Sequence, residues 1–511
     1  MVLRTGLRYK EITNSNMHTS VCIFFYLREK IEWQVVISLI KNETSDGVAK
    51  KLGEIFDKCG DFNIRKIFSG EKLFYLANLG AFSGRDYISE NIAKQLVSSD
   101  VEIMHDESML GIITTSEVKT VDSTEKASEF LLGGFAVVFT DISEGVSAYA
   151  CMARNDPGRS VSEPESETVV RGPREGFTEK AEDNTALIRK RLRTPALKII
   201  NLTVGSYSET NVRVLYLEGV ADGRLVEDII SRIENMKLPT VMDSGYIEQL
   251  LTGGRSSLFT EVGNSEKPDK VAAKISSGRV AIICDGSPVV LTVPYLFVEG
   301  LQSAEDYLKT PYYASFIRII RFFSMLVSLY LPSFYIAVME HHKNAVPYKL
   351  YLAISDKRSD IPFSLFGELI VILVIFEFIR EVGIRMPGPV GSAVSIVGGL
   401  ILGDAAISAG ISSAPVIMVA SLTAICTFIV PPFMNSTVLV RLVNILLARF
   451  FGIVGIAASA VILAARLASK DSFGVPYMMP FSVPSAAGSF DGLLMNPAKA
   501  IENSSGEMHI K

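Results

Sequence analysis

The sequence predicts an α/β N-terminal region of two related subdomains, followed by an all-α polytopic membrane domain of about five helices. Charged residues make up 21% and hydrophobic residues 48% of the 511 residues, but they are unevenly distributed. Between Met386 and Ala465 only Asp404, Arg441 and Arg449 carry a formal charge. Such an apolar stretch is typical of chain in lipid rather than in water. A strand–helix pattern that occurs twice before residue 310 predicts the two subdomains.

Composition and motifs argue against several functional classes. The net charge of −5 offers no basic surface for nucleic acid. The sequence has no GxSxG, no Walker A loop and no GxGxxG after a strand, so we predict neither an enzyme nor a cofactor. The pair His341–His342 has no further Cys or His ligands nearby, so we predict no metal site. Five cysteines without a CxxC pair are typical of structural thiols in a reducing cytosol.

The changes in composition along the chain divide it into five parts. The first part contains the short apolar run Val21–Leu27, which no small-residue cleavage site follows, so we expect no signal peptide. The predicted parts are an N-terminal extension at 1–35, α/β subdomain 1 at 36–150, an Arg/Glu-rich connector with α/β subdomain 2 at 151–310, a helical membrane domain at 311–470 and a C-terminal tail at 471–511.

The repeated pattern of the α/β region is an apolar strand, a turn and an amphipathic helix. It occurs as strand Leu73–Phe82 with helix Asp86–Val97, and as strand Val214–Asp222 with helix Leu225–Met236. Aligning the two copies by sequence places Tyr75–Leu76 at the position of Tyr216–Leu217. We therefore predict two subdomains of related structure.

Two further segments of this region have distinctive compositions. Arg154–Arg174 is rich in Pro, Ser, Glu and Arg, and composition alone predicts a flexible linker there. Gly278–Pro294 contains two apolar runs around the dipeptide Asp285–Gly286, which predicts two strands joined by a tight turn.

The apolar part predicts about five membrane helices, and four helices with a re-entrant hairpin is the alternative. Gly410, Ser412, Ser413 and Pro415 indicate a break in the long uncharged stretch, and Pro431–Pro432 indicate the end of the next helix. Ser436 is the predicted N-cap of a last helix that ends near Ser469. The stretches are Phe322–Met339, Ile361–Ile379, Met386–Gly403, and Ala405–Val440 with its break, followed by the last helix.

Carboxylates inside apolar runs are the candidate functional groups. Burying an ionised carboxylate in hydrocarbon costs several kcal/mol unless it is neutralised, paired or hydrated. Glu368, Glu377 and Asp404 are therefore candidates for a cation path or for a helix interface that moves during gating, and a purely structural role is the alternative for each. For Glu377 the alternative is an interfacial ion cluster with Arg380 and Glu381, one turn away.

The GxxxG motif before Asp404 has two interpretations. Gly399 and Gly403 form a GxxxG motif, and small residues continue after it. Close packing of helices in lipid uses such residues. The alternative is a broken helix of small residues that lines a pore beside Asp404.

Several motifs, in order along the chain, resemble the spore germination receptor A-subunit (GerA) family. The most recognisable is Arg159–Phe177, the sequence RSVSEPESETVVRGPREGF, with Asn184 and Leu187–Arg189 after it. The resemblance covers roughly residues 60–485. It continues through Asp243–Glu248, Gly278–Pro288, Glu305–Tyr307, Pro387–Gly391, Val397–Gly403 and Phe473–Tyr477.

This chain departs from the family pattern at two places. Lys267 stands in Glu266–Asp269 where the family usually has Arg, and Asp404 follows Gly403 where the family usually has Gln. The resemblance also implies that the Arg/Glu-rich connector is ordered between the subdomains. Its alternating charges then form internal ion pairs or contact a partner subunit, which makes assembly candidates of Arg159, Glu163, Arg171, Arg174 and Glu175.

The family resemblance implies a receptor subunit in the inner membrane of dormant endospores. It implies a transporter-like B subunit that binds the nutrient, a C lipoprotein, and an A subunit that oligomerises into a cation channel. The N-terminal domain is expected in the cytosol, because no export signal or disulfide pattern occurs. Two other functions remain open, a secondary transporter subunit and a non-conducting scaffold. The sequence also leaves open whether the chain is a receptor subunit or the related stage V sporulation paralogue.

Overall fold

The computed structural model places an α/β region before a bundle of helices. The α/β region holds a six-stranded and a five-stranded sheet, and the bundle begins at Pro311. The structure describes residues 39–40, 43–70, 72–98, 113–142, 145–153, 167, 171–253, 258–359, 361–385, 398–399, 402–479 and 492–495.

The first α/β unit is a sheet covered by helices on both faces. Its strands follow the order β1-β6-β5-β3-β2, and β4 pairs with β6. Helices α1 and α3 cover one face, and α2 covers the other. The strands are β1 Leu39–Ile40, β2 Phe62–Ser69, β3 Lys72–Leu79, β4 Val118–Thr120, β5 Phe135–Ile142 and β6 Gly145–Met152. The helices are α1 Ser45–Ile55, α2 as the consecutive pieces Arg85–Ile88, Ser89–Ala93 and Lys94–Ser98, and α3 Thr124–Leu132.

The second unit has the same three layers. Its strands follow the order β7-β8-β10-β11-β9. Helices α4 and α7 cover one face, and α5 and α6 cover the other. The strands are β7 Leu197–Val204, β8 Thr210–Leu217, β9 Gly263–Ser265, β10 Val280–Cys284 and β11 Val290–Val293. The helices are α4 Ala181–Arg189, α5 Gly223–Glu234, α6 Ser244–Leu251 and α7 Pro268–Ser276.

Local sequence explains where these helices begin and which face they bury. Asp222 precedes α5 and accepts the Arg224 backbone N–H at 2.9 Å, and Ser123 caps α3 in the same way. Pro268 occupies the first turn of α7, where a missing N–H costs nothing. In α5 the buried positions Leu225, Val226, Ile229 and Ile233 recur at helical spacing on one face.

The two units share one topology, which supports the predicted duplication. Each runs through a helix, a hairpin, a helical segment, a short strand, a helix and a second hairpin. In both units the short strand pairs with the last strand, β4 with β6 and β9 with β11. In both units the second strand of the first hairpin pairs with the first strand of the second hairpin.

The register corrects the alignment that the sequence predicts between the two copies. Leu79 and Leu217 occupy the same position, because each pairs with the first residue of its hairpin and lies six residues before the next helix. Tyr75 therefore corresponds to Arg213, not to Tyr216. Side chains alternate between the faces of a strand, so the three-residue shift places the two tyrosines on opposite layers.

The helical region begins at Pro311, directly after a 3₁₀ turn of the α/β region. Helix α8 passes through Pro332 and ends in a π-helical turn at Ala337–His341. The break predicted near Gly410 is present, since α11 begins after Ser413. The helices are α8 Pro311–Ile336, α9 Tyr348–Asp356, α10 Leu365–Arg385, α11 Ala414–Phe428 and α12 Met434–Ala468, and residues 402–408 are also helical. Most of the predicted stretch Met386–Gly403 lies outside the described residues.

Helix α12 is a hairpin of two helices rather than one straight rod. Gly452 interrupts it with φ 60° and ψ −140°. The Ser459 hydroxyl donates to Asn444 Oδ1, although fifteen residues of straight helix would separate them by about 22 Å. A Cβ on Gly455 would lie 2.5 Å from the Leu447 carbonyl oxygen, which agrees with the same reversal. The single last helix predicted from the sequence is therefore wrong.

Ser436 does not cap α12, contrary to the sequence prediction. A 3₁₀ turn at Pro431–Phe433 leads directly into the helix, so Ser436 lies within the first turn of α12. Its hydroxyl instead donates to the Leu258 carbonyl of the α/β region.

Two segments of the described chain are long and apolar enough to cross a membrane by length and composition. They are Pro311–His341 and Pro431–Ala468, and the second contains the Gly452 reversal. Helix α11 is apolar but shorter. Helix α10 carries three glutamates and two arginines.

Candidate functional site

Glu368, near the start of α10, is buried and fully paired. Arg358 Nε lies 3.1 Å from its Oε2. The Ser413 backbone N–H and hydroxyl each donate to Oε1 at 2.6 Å, and the Ser412 hydroxyl donates at 3.1 Å. Ser413 precedes α11, so the carboxylate binds at a helix N-terminus, where negative charge is favoured. Glu368 therefore joins α10 to α11.

Glu377 lies between two arginines. Arg441 Nη2 is 2.8 Å from its Oε1, and Arg380 Nη2 is 2.8 Å from its Oε2. The sequence predicts Arg380 as a partner but not Arg441, which is 64 residues away on α12. Glu381 pairs with Arg385 instead. The Glu377 cluster thus joins α10 to α12.

Asp404 differs from the two glutamates because it is exposed on the surface of the bundle. Among the described residues no ion-pair partner of Asp404 is present. Gly403 approaches α11, since a Cβ there would lie 3.9 Å from Ile417 Cγ2. A Cβ on Gly399 would meet no described atom within 4 Å. Close helix packing at this motif therefore involves Gly403. Close packing at Gly399 stays a prediction.

The junction between the α/β region and the bundle contains a buried ionic cluster that the sequence analysis missed. Asp306 and Arg318 are fully buried. Arg321 binds Asp306 with two contacts, at 2.6 Å and 3.0 Å, and Arg318 Nε lies 3.3 Å away. Both arginines belong to the first turns of α8, whereas Asp306 lies in the preceding 3₁₀ turn. The spacing of Arg318 and Arg321, three residues apart on one helix face, was the available signal.

The same junction receives two segments from the C-terminal part of the chain. Arg318 Nη1 donates to the Gly492 carbonyl at 2.9 Å. Lys470 lies 3.2 Å from Glu261, and the Ser472 hydroxyl accepts the Tyr295 backbone N–H at 3.1 Å. The end of α12 is therefore attached to the α/β region, on the same side as the start of α8.

A second buried cluster lies just before the junction. Arg279 Nη2 is 2.7 Å and Lys274 Nζ is 3.0 Å from the carboxylate of Glu299. Burial disfavours the charged carboxylate, but Arg279 and Lys274 outweigh it and lower the pKa of Glu299 to about 2. Burial lowers the pKa of Lys274, against the attraction of Glu299. This cluster joins α7 and the start of β10 to the 3₁₀ turn Phe297–Leu301.

The two α/β units also meet through a buried ion pair. Arg189 Nη2 donates to Asp61 Oδ1 at 2.9 Å, Arg189 Nε lies 2.8 Å from Oδ2, and both side chains are almost completely buried. Cys59 and Ile199 form a parallel bridge beside it. Removing either partner would leave a buried charge unpaired, so this pair fixes how the two units meet.

Comparison with known proteins identifies the family. The family model described as Bacillus/Clostridium GerA spore germination protein matches residues 50–505. The chain belongs to the GerA family.

Relatives of this GerA-family chain include two proteins of Bacillus subtilis (strain 168). Spore germination protein KA is 34% identical over 468 residues, which is 89% of this chain and 85% of the relative. The uncharacterized membrane protein YfkQ is 37% identical over 382 residues, 74% of each. A crystal structure of the N-terminal domain of the A subunit of the Bacillus megaterium spore germinant receptor GerK3 matches with a TM-score of 0.39 and 23% identity. It covers 51% of this chain and 98% of that one.

The Arg/Glu-rich connector that suggested the GerA family is only partly within the described residues. Arg159 and Glu163 lie outside them. Glu175 pairs with Arg191 at 2.7 Å and with Lys190 at 3.2 Å, whereas Arg171 and Arg174 are exposed.

The described part of the connector contacts the second α/β unit. Glu167 lies 2.6 Å from Lys270 and accepts the Glu266 backbone N–H at 3.0 Å. Burial opposes ionisation, but Lys270 outweighs it and lowers the pKa of Glu167. The connector is thus attached beside the buried Lys267.

Proposed function

We propose that the chain is the A subunit of a nutrient germinant receptor of bacterial endospores. In this role it acts in the spore inner membrane with a transporter-like B subunit and a C lipoprotein, and it converts nutrient binding into release of monovalent cations. Membership of the GerA family supports this role. The names of the relatives describe those proteins, and the role is extended to this chain as a proposal. The chain itself oligomerises, and the bundle forms the cation path.

The junction cluster is the structural observation that supports signal transduction. Arg318 and Arg321 lie on the first apolar helix, and both bind Asp306 at the end of the α/β region. A displacement of the α/β region that moves Asp306 pulls on α8, because Arg318 is fully buried and separating a buried charge from its partner costs several kcal/mol. The α/β region receives the signal or contacts other subunits, and the bundle responds.

The ends of the bundle limit how it crosses the membrane. Pro311 and Lys470 both lie beside the α/β region. A chain that enters and leaves on one side crosses an even number of times. The sequence-based count of five full crossings conflicts with this, whereas four crossings with re-entrant segments, or six crossings, agree with it. The reversal at Gly452 supplies one crossing more than a single last helix would.

Asp404 is the membrane-region carboxylate that best fits a cation path. Glu368 and Glu377 are held in ion pairs, so a cation would compete with arginine for them. Asp404 is exposed. In an oligomer it faces a neighbouring copy, the lipid or the cation path. Because hydrocarbon strongly disfavours an ionised carboxylate, the path is the surface that accommodates it best.

Germinant-triggered potassium release from spores that carry Asp404→Asn or Gly399→Leu tests the channel role. We expect both variants to slow release, by removing the carboxylate or by filling the space beside the path. Gly398→Leu is the matched control beside Gly399. Wild-type release from both test variants would contradict the channel role, and saturable solute uptake by reconstituted protein would favour a transporter.

A further inference from the structure

The short helix α9 lies at the end of the bundle remote from the α/β region, here called the distal end. Phe433, at the start of α12, packs on Phe297 of the α/β region. The Gly452 reversal at the other end packs against His341, just before α9. Helix α9 therefore connects two distal ends, those of α8 and α10.

Helix α9 buries none of its nine residues. One side of it contacts the bundle, where Tyr351 and Ile354 pack partly buried on the helical core. Tyr348 and Leu352, four residues apart on one face, are 74% and 40% exposed, whereas Leu350 is 52% exposed on the opposite face. A nine-residue helix is marginal in water on its own, and exposed apolar side chains indicate a second apolar surface.

Charges around α9 fit an anionic surface. Lys343, Lys349 and Lys357 are exposed on or beside the helix, and Asp356 is its single acidic residue. Arg358, directly after Lys357, is fixed to Glu368 at 3.1 Å. The C-terminal end of α9 is thus anchored to the bundle, while its lysines and apolar side chains remain on the outside.

We propose that α9 lies in the distal membrane interface and binds an anionic lipid surface. Tyr348 and Leu352 insert at the boundary between headgroups and acyl chains, and the lysines contact the headgroup phosphates. The arrangement is that of an interfacial amphipathic helix, buried about 5–10 Å into the headgroup region. This proposal rests on the proposed insertion of the bundle into a membrane, and it adds a lipid contact at the side opposite the α/β region.

Tryptophan fluorescence in nanodiscs tests the proposal. Full-length protein with Trp33→Phe receives one new tryptophan, by Tyr348→Trp or by Leu352→Trp. The nanodiscs contain phosphatidylglycerol with bromines at a shallow position or near the chain ends. We expect strong quenching by the shallow bromines, weaker quenching by the deep ones, and a loss of shallow quenching when Lys343, Lys349 and Lys357 are changed to glutamate.

Two control positions separate this proposal from the proposed function. Tyr207→Trp is an aqueous control, since Tyr207 is 84% exposed on the α/β region, and Phe323→Trp lies on the exposed face of α8. One outcome overturns the lipid contact of α9 alone. In it, lipid bromines quench a tryptophan at position 323, but tryptophans at 348 and 352 are quenched only by aqueous acrylamide or by neither agent. No lipid quenching at position 323 overturns membrane insertion, and this proposal with it.

Discussion

At the scale of single residues, the junction depends on a few buried charges. Glu299 is the clearest, because its pKa is lowered to about 2 from an ordinary 4.5. A carboxylate with a lowered pKa contributes stability that is fully present above the unfolded-state pKa and is lost as the pH falls through the folded value. The lowering of the Glu299 pKa corresponds to about 3 kcal/mol of stability, which is lost between pH 4.5 and 2.

The pH dependence of unfolding tests the role of Glu299. We expect the free energy of unfolding to fall as the pH drops from about 4.5 towards 2. Glu299→Gln should be less stable at neutral pH, since Arg279 and Lys274 then lose their buried partner, and its disadvantage should shrink towards pH 2. Denaturant unfolding at several pH values measures both curves. Parallel curves for the two proteins would contradict the lowered pKa of Glu299. Glu234→Gln, at the end of α5, is the control for removal of an acidic side chain.

The sequence singled out two carboxylates of the bundle but not the groups that bind them. Glu368 and Glu377 were predicted as unusual carboxylates, and both are part of ion pairs. Their partners Ser413 and Arg441 are 45 and 64 residues away. No periodic pattern reports such long-range pairings, because they depend on how helices pack. Asp306 was part of a recognised motif, but its burial was not readable from composition.

At the scale of elements, the repeated topology was predictable and its register was not. Strand–helix spacing predicted both units, but matching the two tyrosines by residue type placed them three residues out of register. The reversal at Gly452 was also missed. A single glycine in an apolar helix is compatible with a straight helix, and only its positive φ distinguishes a turn.

Disulfide formation tests the hairpin of α12. In a background without the native cysteines, Asn444→Cys and Ser459→Cys should form a disulfide under mild oxidation, because their side chains are in contact. Leu439→Cys with Ser459→Cys is the control, since Leu439 is exposed on the outer face. Gel mobility after proteolysis between the two positions measures the link. A straight helix would leave the first pair about 22 Å apart and unlinked.

At the scale of the whole molecule, the α/β region and both ends of the bundle form one assembly. The start of α8 and the end of α12 meet at the junction, where Asp306, Arg318 and Lys470 make contacts across it. The sequence predicted the division into two halves and assigned residues 471–511 to a C-terminal tail. Within that segment the strands β12 Asp471–Ser472 and β13 Val475–Pro476 pack on the α/β region.

Labelling with a membrane-impermeant thiol reagent tests whether the crossings are even in number. In protein without native cysteines, Tyr207→Cys and Asp471→Cys should react from the same side of sealed vesicles, and Lys349→Cys from the opposite side. All three residues are exposed, so accessibility does not limit the reaction. Reaction at 207 and 471 from opposite sides would show an odd number of crossings.

Potassium release from spores that carry Asp306→Asn tests most directly whether the junction transmits the signal from the α/β region to the bundle. The variant removes the charge that binds Arg318 and Arg321, and Glu305→Gln, at the neighbouring position, is the matched control. With equal amounts of subunit in the membrane, we expect Asp306→Asn to abolish germinant-triggered release. Glu305→Gln and germination by a receptor-independent trigger should remain normal. Wild-type release from the Asp306→Asn spores would contradict the account.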